Sequence, residues 1–159
     1  MKLLTTAAAV LALASAVPGT AQQIAGPYGS QVTLAQARSI VDAAHNAARA
    51  KNFTMAFAVV LPTGEPILLE VMDGTQSGSI DIAPAKARTA ARFRRPTKAF
   101  ADAVAGGNLG ALTLDGVVAV EGGVPIVVSG KVVGALGVSG GTSQQDGEIA
   151  AAALAAAKL

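Results

Sequence analysis

The stretch Lys86 to Lys98, KARTAARFRRPTK, is the one concentrated charge feature of the chain. It holds Lys86, Arg88, Arg92, Arg94, Arg95 and Lys98, with no acid between Asp81 and Asp102. Such a run reads first as a solvated helix face. Lys86, Thr89 and Phe93 nevertheless share a stripe at helical spacing. A lysine aimed from that stripe into a pocket can pair with a carboxylate. Desolvated, its pKa falls, and the amine becomes a base or a nucleophile. Asp73 and Asp81 are the acids expected to neighbour it. As plain structural residues, they would form a turn and cap a helix.

His45 is the one imidazole in the sequence. It shares a polar helix face with Arg38, Asp42 and Arg49, so it reads first as a surface histidine and second as a metal ligand. Tyr28, Met55 and Met72 are further metal-ligand candidates, Tyr28 in a mobile lead-in and Met55 in a core strand. With no cysteine and a single histidine, the chain lacks the ligands of a usual zinc site. With a single histidine and no cysteine, the chain offers little from which to build a Ser-His-Asp or Cys-His machinery, and Val138-Ser139-Gly140 does not read as a nucleophile elbow.

Ser139-Gly140-Gly141-Thr142 joins an apolar run to an alanine-rich one. A glycine turn before a helix can aim amides at an anion. The sequence lacks both usual nucleotide-loop motifs, and Asp146 and Glu148 in the first helical turn repel an anion. The junction reads as a tight strand-to-helix corner.

The elements that must position these residues follow from periodicity. Thr33 caps a helix from Leu34 to about Lys51, with Leu34, Ala37, Val41, Ala44 and Ala48 on its buried face. Thr54–Leu61 and Glu65–Met72 read as a hairpin about Pro62-Thr63-Gly64. Ser77–Phe93 reads as a helix capped by Ser79 or Asp81, with Pro84 tolerable only in its first turn. Thr97 caps a short helix to about Val104, and 106–114 is loop. Gly116–Val120, Pro125–Ser129 and Lys131–Ser139 read as strands, and Ser143 caps a last helix to about Lys158. The order is αββααβββα. Short connections between strands favour an antiparallel sheet, so the expected class is α+β with five antiparallel strands and helices packed on them.

Lys2, the uncharged apolar run Leu3–Val17 and Gly19-Thr20-Ala21 read as a signal peptide over residues 1–21. An exported chain beginning near Gln22 is therefore expected, with 22–32 a flexible lead-in and 33–159 one domain. No later run is long and apolar enough for a membrane anchor. Twelve Lys and Arg against ten Asp and Glu, with 3% aromatic residues, argue against nucleic-acid binding.

Three stretches together resemble the GlcG/HbpS-like family, the haem-degrading-domain proteins that include the C-terminal domain of PduO-type proteins. They are MDGTQSGSIDIAPAKARTAARFRRPTKAF (72–100), VEGGVPIVVSGKVVGALGVSGGTSQQD (120–146) and a helix followed by FAVVLPTGEPILLEV. The resemblance covers about residues 32–158. It departs at Leu61 and Glu65, where the family commonly has Asp and His in its first hairpin, and at Val71, where an Arg is usual. It implies a five-stranded antiparallel sheet and a homo-oligomer. It also implies a small-molecule ligand site drawn from Met72, Asp73, Lys86, Thr89, Gly122 and Gly123. Haem is the ligand it suggests, with His45 the candidate metal ligand. An enzyme acting on a small organic acid through Lys86 and Asp81, or an accessory subunit without pocket chemistry, fits the same resemblance.

Overall fold

A computed structural model describes residues 26–157 and Leu159. The expected leader, residues 1–21, lies outside the described residues, as do 22–25 of the expected lead-in. Along the chain run α1 (Leu34–Ala50), β1 (Ala56–Val60), β2 (Pro66–Val71), α2 (Gly78–Phe93) and α3 (Lys98–Ala105). A 3-10 helix (Leu109–Thr113), β3 (Gly123–Val128), β4 (Lys131–Ser139) and α4 (Ser143–Ala156) follow. No helix among the described residues is long and apolar enough to cross a membrane.

The sheet has four strands rather than five, in the order β2-β1-β4-β3, with every neighbouring pair antiparallel. The segment Gly116–Val120, expected as a strand, forms none. Side-chain bonds from α2 hold it instead. The Thr89 hydroxyl accepts the Val118 amide at 3.0 Å and lies 3.1 Å from the Gly116 carbonyl. Short, all-apolar GVVAV has no alternation to mark a strand face, which is why propensity alone misplaces it.

β1 and β4 are the central strands, and β1 is buried along its whole length. Alternation divides their side chains between two faces. Phe57, Val59, Leu136 and Val138 meet the core stripe of α1 and α4, including Ile40, Val41 and Ile149. Ala56, Ala58, Val60 and Ala135 meet Ala83, Ala87, Ala90 and Ala91 of α2. The second face is made of small residues so that α2 can lie close. A side chain at Gly137 would run into the Ala83 carbonyl and stand 2.7 Å from the Ala87 amide.

The α1 cap is as the sequence suggests, a capping box of Thr33 and Gln36. Leu34, expected in the core, is 45% exposed, and Ile40 takes its share of the buried stripe. Thr142, not Ser143, caps α4, with Gln145 closing the box. α2 has no side-chain cap. Ser79 faces inward and bonds Ser139 at 3.1 Å, and Asp81 is exposed in the first turn. Pro84 lies beyond the first turn, so the bond its amide would make back to Ile80 is absent. Thr97 precedes α3 without capping it.

Residues 26–32 do not lie free of the sheet. Gly29 donates to the Val132 carbonyl at 2.9 Å, Val132 to Pro27 at 3.0 Å and Val32 to Val133 at 2.8 Å. They occupy the stretch of β4 beyond Ala135, where β1 ends. The Tyr28 hydroxyl donates toward the Ala91 and Arg92 carbonyls at the end of α2, both at 3.0 Å.

Candidate functional site

Two groups of the residues singled out in the sequence come together, at different places. The first is internal. Lys86, 1% exposed, sends its Nζ to Asp146 Oδ2 at 2.6 Å and to the Val138 carbonyl at 3.1 Å. The acid beside Lys86 is thus Asp146 of α4, not Asp73 or Asp81. Asp81 is exposed and makes no side-chain hydrogen bond among the described residues. Asp146 Oδ1 accepts the Gly141 amide at 2.9 Å. Burial pushes the Asp146 carboxyl above its ordinary value, against the opposing pull of the Lys86 ammonium and the Gly141 amide.

Gly122 and Gly123 lie over this pair. Gly122 has φ +124°, and a Cβ there would stand 2.6 Å from the Val138 carbonyl and 2.9 Å from Lys86 Nζ. A Cβ on Gly123 would meet the Lys86 carbonyl and, at 2.7 Å, Thr97. Thr97 and Gly123 also exchange backbone and hydroxyl bonds at 2.9 Å. The two glycines are therefore glycine because two elements touch through their backbones there. Thr89, one turn on from Lys86, ties down 116–118. Lys86, Thr89, Gly122 and Gly123 are thus buried and tied together by bonds and close backbone contacts.

The Ser139–Thr142 corner is equally closed to an anion. The Gly141 amide is taken by Asp146 and the Thr142 amide by Gln145 at 2.8 Å.

The second group is open to solvent. His45 and Arg49, one turn apart on α1, face the end of β2. With Glu70, Val71, Met72 and Asp73 they line a hollow of about 380 Å³. Asp42, His45, Asn46 and Arg49 line an adjoining one of about 330 Å³. His45 stands between the two. The hairpin register puts Glu70 directly opposite Phe57, on the sheet face that α1 covers. His45 meets both of them. Its Nδ1 lies 2.7 Å from Glu70 Oε1, and its ring stacks 6.2 Å from Phe57 at 28°. The imidazole and carboxylate side chains are 35% and 39% exposed.

A carboxylate only accepts, so the proton of a neutral His45 sits on Nδ1. Nε2 then carries the lone pair, and it has no hydrogen-bond partner among the described residues. This carboxylate–histidine arrangement fixes ring orientation and raises ligand basicity in metal sites. The Arg49 and Asp73 side chains have no hydrogen-bond or ion-pair partner among the described residues. Met72 and Asp73 were expected in the ligand site and line this hollow. Glu70 and Arg49 join it without any local mark in the sequence. The signal for Glu70 was available in the hairpin register, though a bulge between Val59 and Val60 shifts the count from the turn.

No three His, Cys, Asp or Glu side chains among the described residues converge to hold a bare metal ion. A haem iron, by contrast, brings four nitrogen ligands of its own and needs from the protein only an axial donor. His45 Nε2 would suit as such a donor, and the Arg49 cation lies along the same groove.

A four-stranded antiparallel sheet with α1 and α4 on one face and α2 on the other defines a small α+β fold. The family model for haem-degrading HbpS-like proteins matches residues 32–155, and the chain belongs to that family. GlcG of Escherichia coli strain K12 is 38% identical over 112 residues, 69% of this chain and 84% of GlcG. The crystal structure of Klebsiella pneumoniae protein ORFY superposes with a TM-score of 0.76 at 30% identity, covering 89% of this chain and 97% of ORFY. The crystal structure of a PduOC–haem complex gives a TM-score of 0.72 at 28% identity, over 79% of this chain and 94% of PduOC.

Proposed function

We propose that the chain is exported, begins near Gln22 when mature, and binds a haem-type tetrapyrrole in the groove between α1 and the end of β2. The observation that carries the binding site is the His45–Glu70 contact at 2.7 Å, which leaves Nε2 to a ligand at the mouth of two adjoining hollows. In this reading His45 would hold the iron through Nε2, Arg49 would compensate an acidic substituent, and Met72 and Asp73 would form the neighbouring wall. Haem, when bound, supplies a redox-active iron. The chain's part is to hold it by one oriented imidazole and to compensate its negative charge. The complex of PduOC with haem supports the reading, as does the family's description as haem-degrading.

Lys86 has no part in this reading. Its ammonium is enclosed and already bonded to Asp146 and Val138, so no observation favours an organic-acid enzyme built on it.

The test is a titration of haemin into the protein recovered from its own host, whose intact mass places the mature N-terminus. A Soret band shifted and sharpened relative to free haemin is expected, saturating at a fixed stoichiometry, and its maximum should move in His45→Ala. A spectrum that stays that of free haemin removes the ligand. An identical band in His45→Ala moves the site elsewhere. A mass that retains Met1 to Ala21 removes export.

A further inference from the structure

The groove between α1 and the end of β2 holds more negative charge than positive. Among the described residues, Asp42, Glu70 and Asp73 line its hollows, against Arg49 as the one permanent cation there. Of these, Glu70 is the group bonded to the imidazole, Oε1 to Nδ1 of His45 at 2.7 Å. Both partners are held from behind. The stack on Phe57, itself fully buried, fixes the plane of the ring. The β1–β2 register sets Glu70 directly across from Phe57. The carboxylate and the ring therefore meet against an apolar backing, where a polar contact is electrostatically stronger than in water.

We infer, resting on the haem reading, that Glu70 sets the oxidation state of the ligand, so that the groove selects the ferric over the ferrous tetrapyrrole. With Nε2 given to a metal, the proton left on the ring is donated to a carboxylate. Such a charge-assisted bond draws the proton toward oxygen and leaves the ring electron-rich. An electron-rich axial donor favours the more highly charged metal, and hydrogen bonds behind the axial ligand are among the levers that set a haem potential. The carboxylate charge acts in the same direction, because the ferric form carries one more positive charge than the ferrous. Asp42 and Asp73 add to that bias and Arg49 opposes it, so the balance of the groove lies with the ferric form. By linkage, a tighter hold on the ferric form is a lowered reduction potential. A groove poised this way retains oxidised haem and disfavours the ferrous iron on which dioxygen binding depends.

Spectroelectrochemical titration of the full chain under saturating haemin, at one pH, tests it. The wild type should bind haemin more tightly than dithionite-reduced haem. Glu70→Gln keeps an acceptor for the Nδ1 proton and removes the charge, so the iron stays on His45 while its potential rises. A loss of about tenfold in ferric preference is expected, the lower end of what an outer partner of a ligating histidine contributes. For a one-electron couple that reads as a rise of about 59 mV. The iron–imidazole stretching frequency of the reduced protein should fall with it, a change that a merely structural contact would not give. Asp73→Asn, on the same groove without a bond to the ring, should move the potential less. An unchanged or lowered potential in Glu70→Gln overturns the inference, and so does tighter binding of reduced haem by the wild type. An equal rise in Asp73→Asn assigns the effect to groove charge alone and overturns the role of the Glu70 bond. A wild type that leaves the spectrum of free haemin unchanged removes the haem reading, and this inference with it. Bound haemin with an unmoved potential in Glu70→Gln removes this inference alone.

Discussion

Lys86 and Asp146 are 60 residues apart in sequence and 2.6 Å apart in the fold, with side chains 1% and 4% exposed. The contact joins α2 to α4 beneath the end of β4, and Gly122 closes over it. Removing one member of such a pair strands the other charge in the interior, which costs about 3–5 kcal/mol. Lys86→Met should therefore lower the urea midpoint steeply while changing little at the groove. Lys86→Met combined with Asp146→Leu should lose less than the sum of the two single changes, because no charge is left behind. Additive losses in the urea series would show that the pair does not act as a unit.

The same pair gives a pH signature of definite sign. Unfolded, Asp146 is an ordinary carboxyl with a value of 3.8, while in the fold burial raises it. Between those two pH values the native state holds a proton that the unfolded state has lost. Stability from this group therefore grows as pH falls through the window, and is lost as pH rises through it. The comparison with Asp146→Asn, which cannot titrate, isolates this group's contribution. Wild-type stability minus that of Asp146→Asn should increase as pH is lowered from neutral toward 4. A difference that shrinks over this range would mean that the ion pair outweighs burial.

How far the sequence carries this picture depends on the range of each interaction. Thr33 and Gln36 cap α1 within one turn, so three letters of spacing suffice. The hairpin about Pro62-Thr63-Gly64 is equally local. Gly116–Val120 fails as a strand because its partners are the Thr89 hydroxyl and α2, which no apolar run reveals. Lys86 stood out by type and position, but its stripe on α2 gave no sign that the facing acid comes from α4. His45 shows the same limit from the other side. Its neighbours on α1 are polar and make it look like a plain surface residue. The contacts that orient it, Glu70 and Phe57, are cross-strand partners on a separate hairpin.

Glu70 provides the sharpest separation between a positioning role and a structural one. It is 39% exposed and supports no buried network, so its loss should leave stability almost unchanged. Its contact at 2.7 Å fixes which nitrogen of His45 is protonated and how the ring is turned. Removing a carboxylate that orients a ligating histidine typically lowers affinity about 10–100-fold. Glu70→Ala should weaken haemin binding by that factor in a Soret titration, with an unchanged urea midpoint. Glu70→Gln keeps a carbonyl oxygen that accepts from Nδ1 while removing the charge, so it should recover part of the lost affinity. Equal, full affinity in all three proteins would leave His45 unoriented by Glu70. A parallel loss of stability in Glu70→Ala would make the contact a matter of folding rather than of ligand geometry.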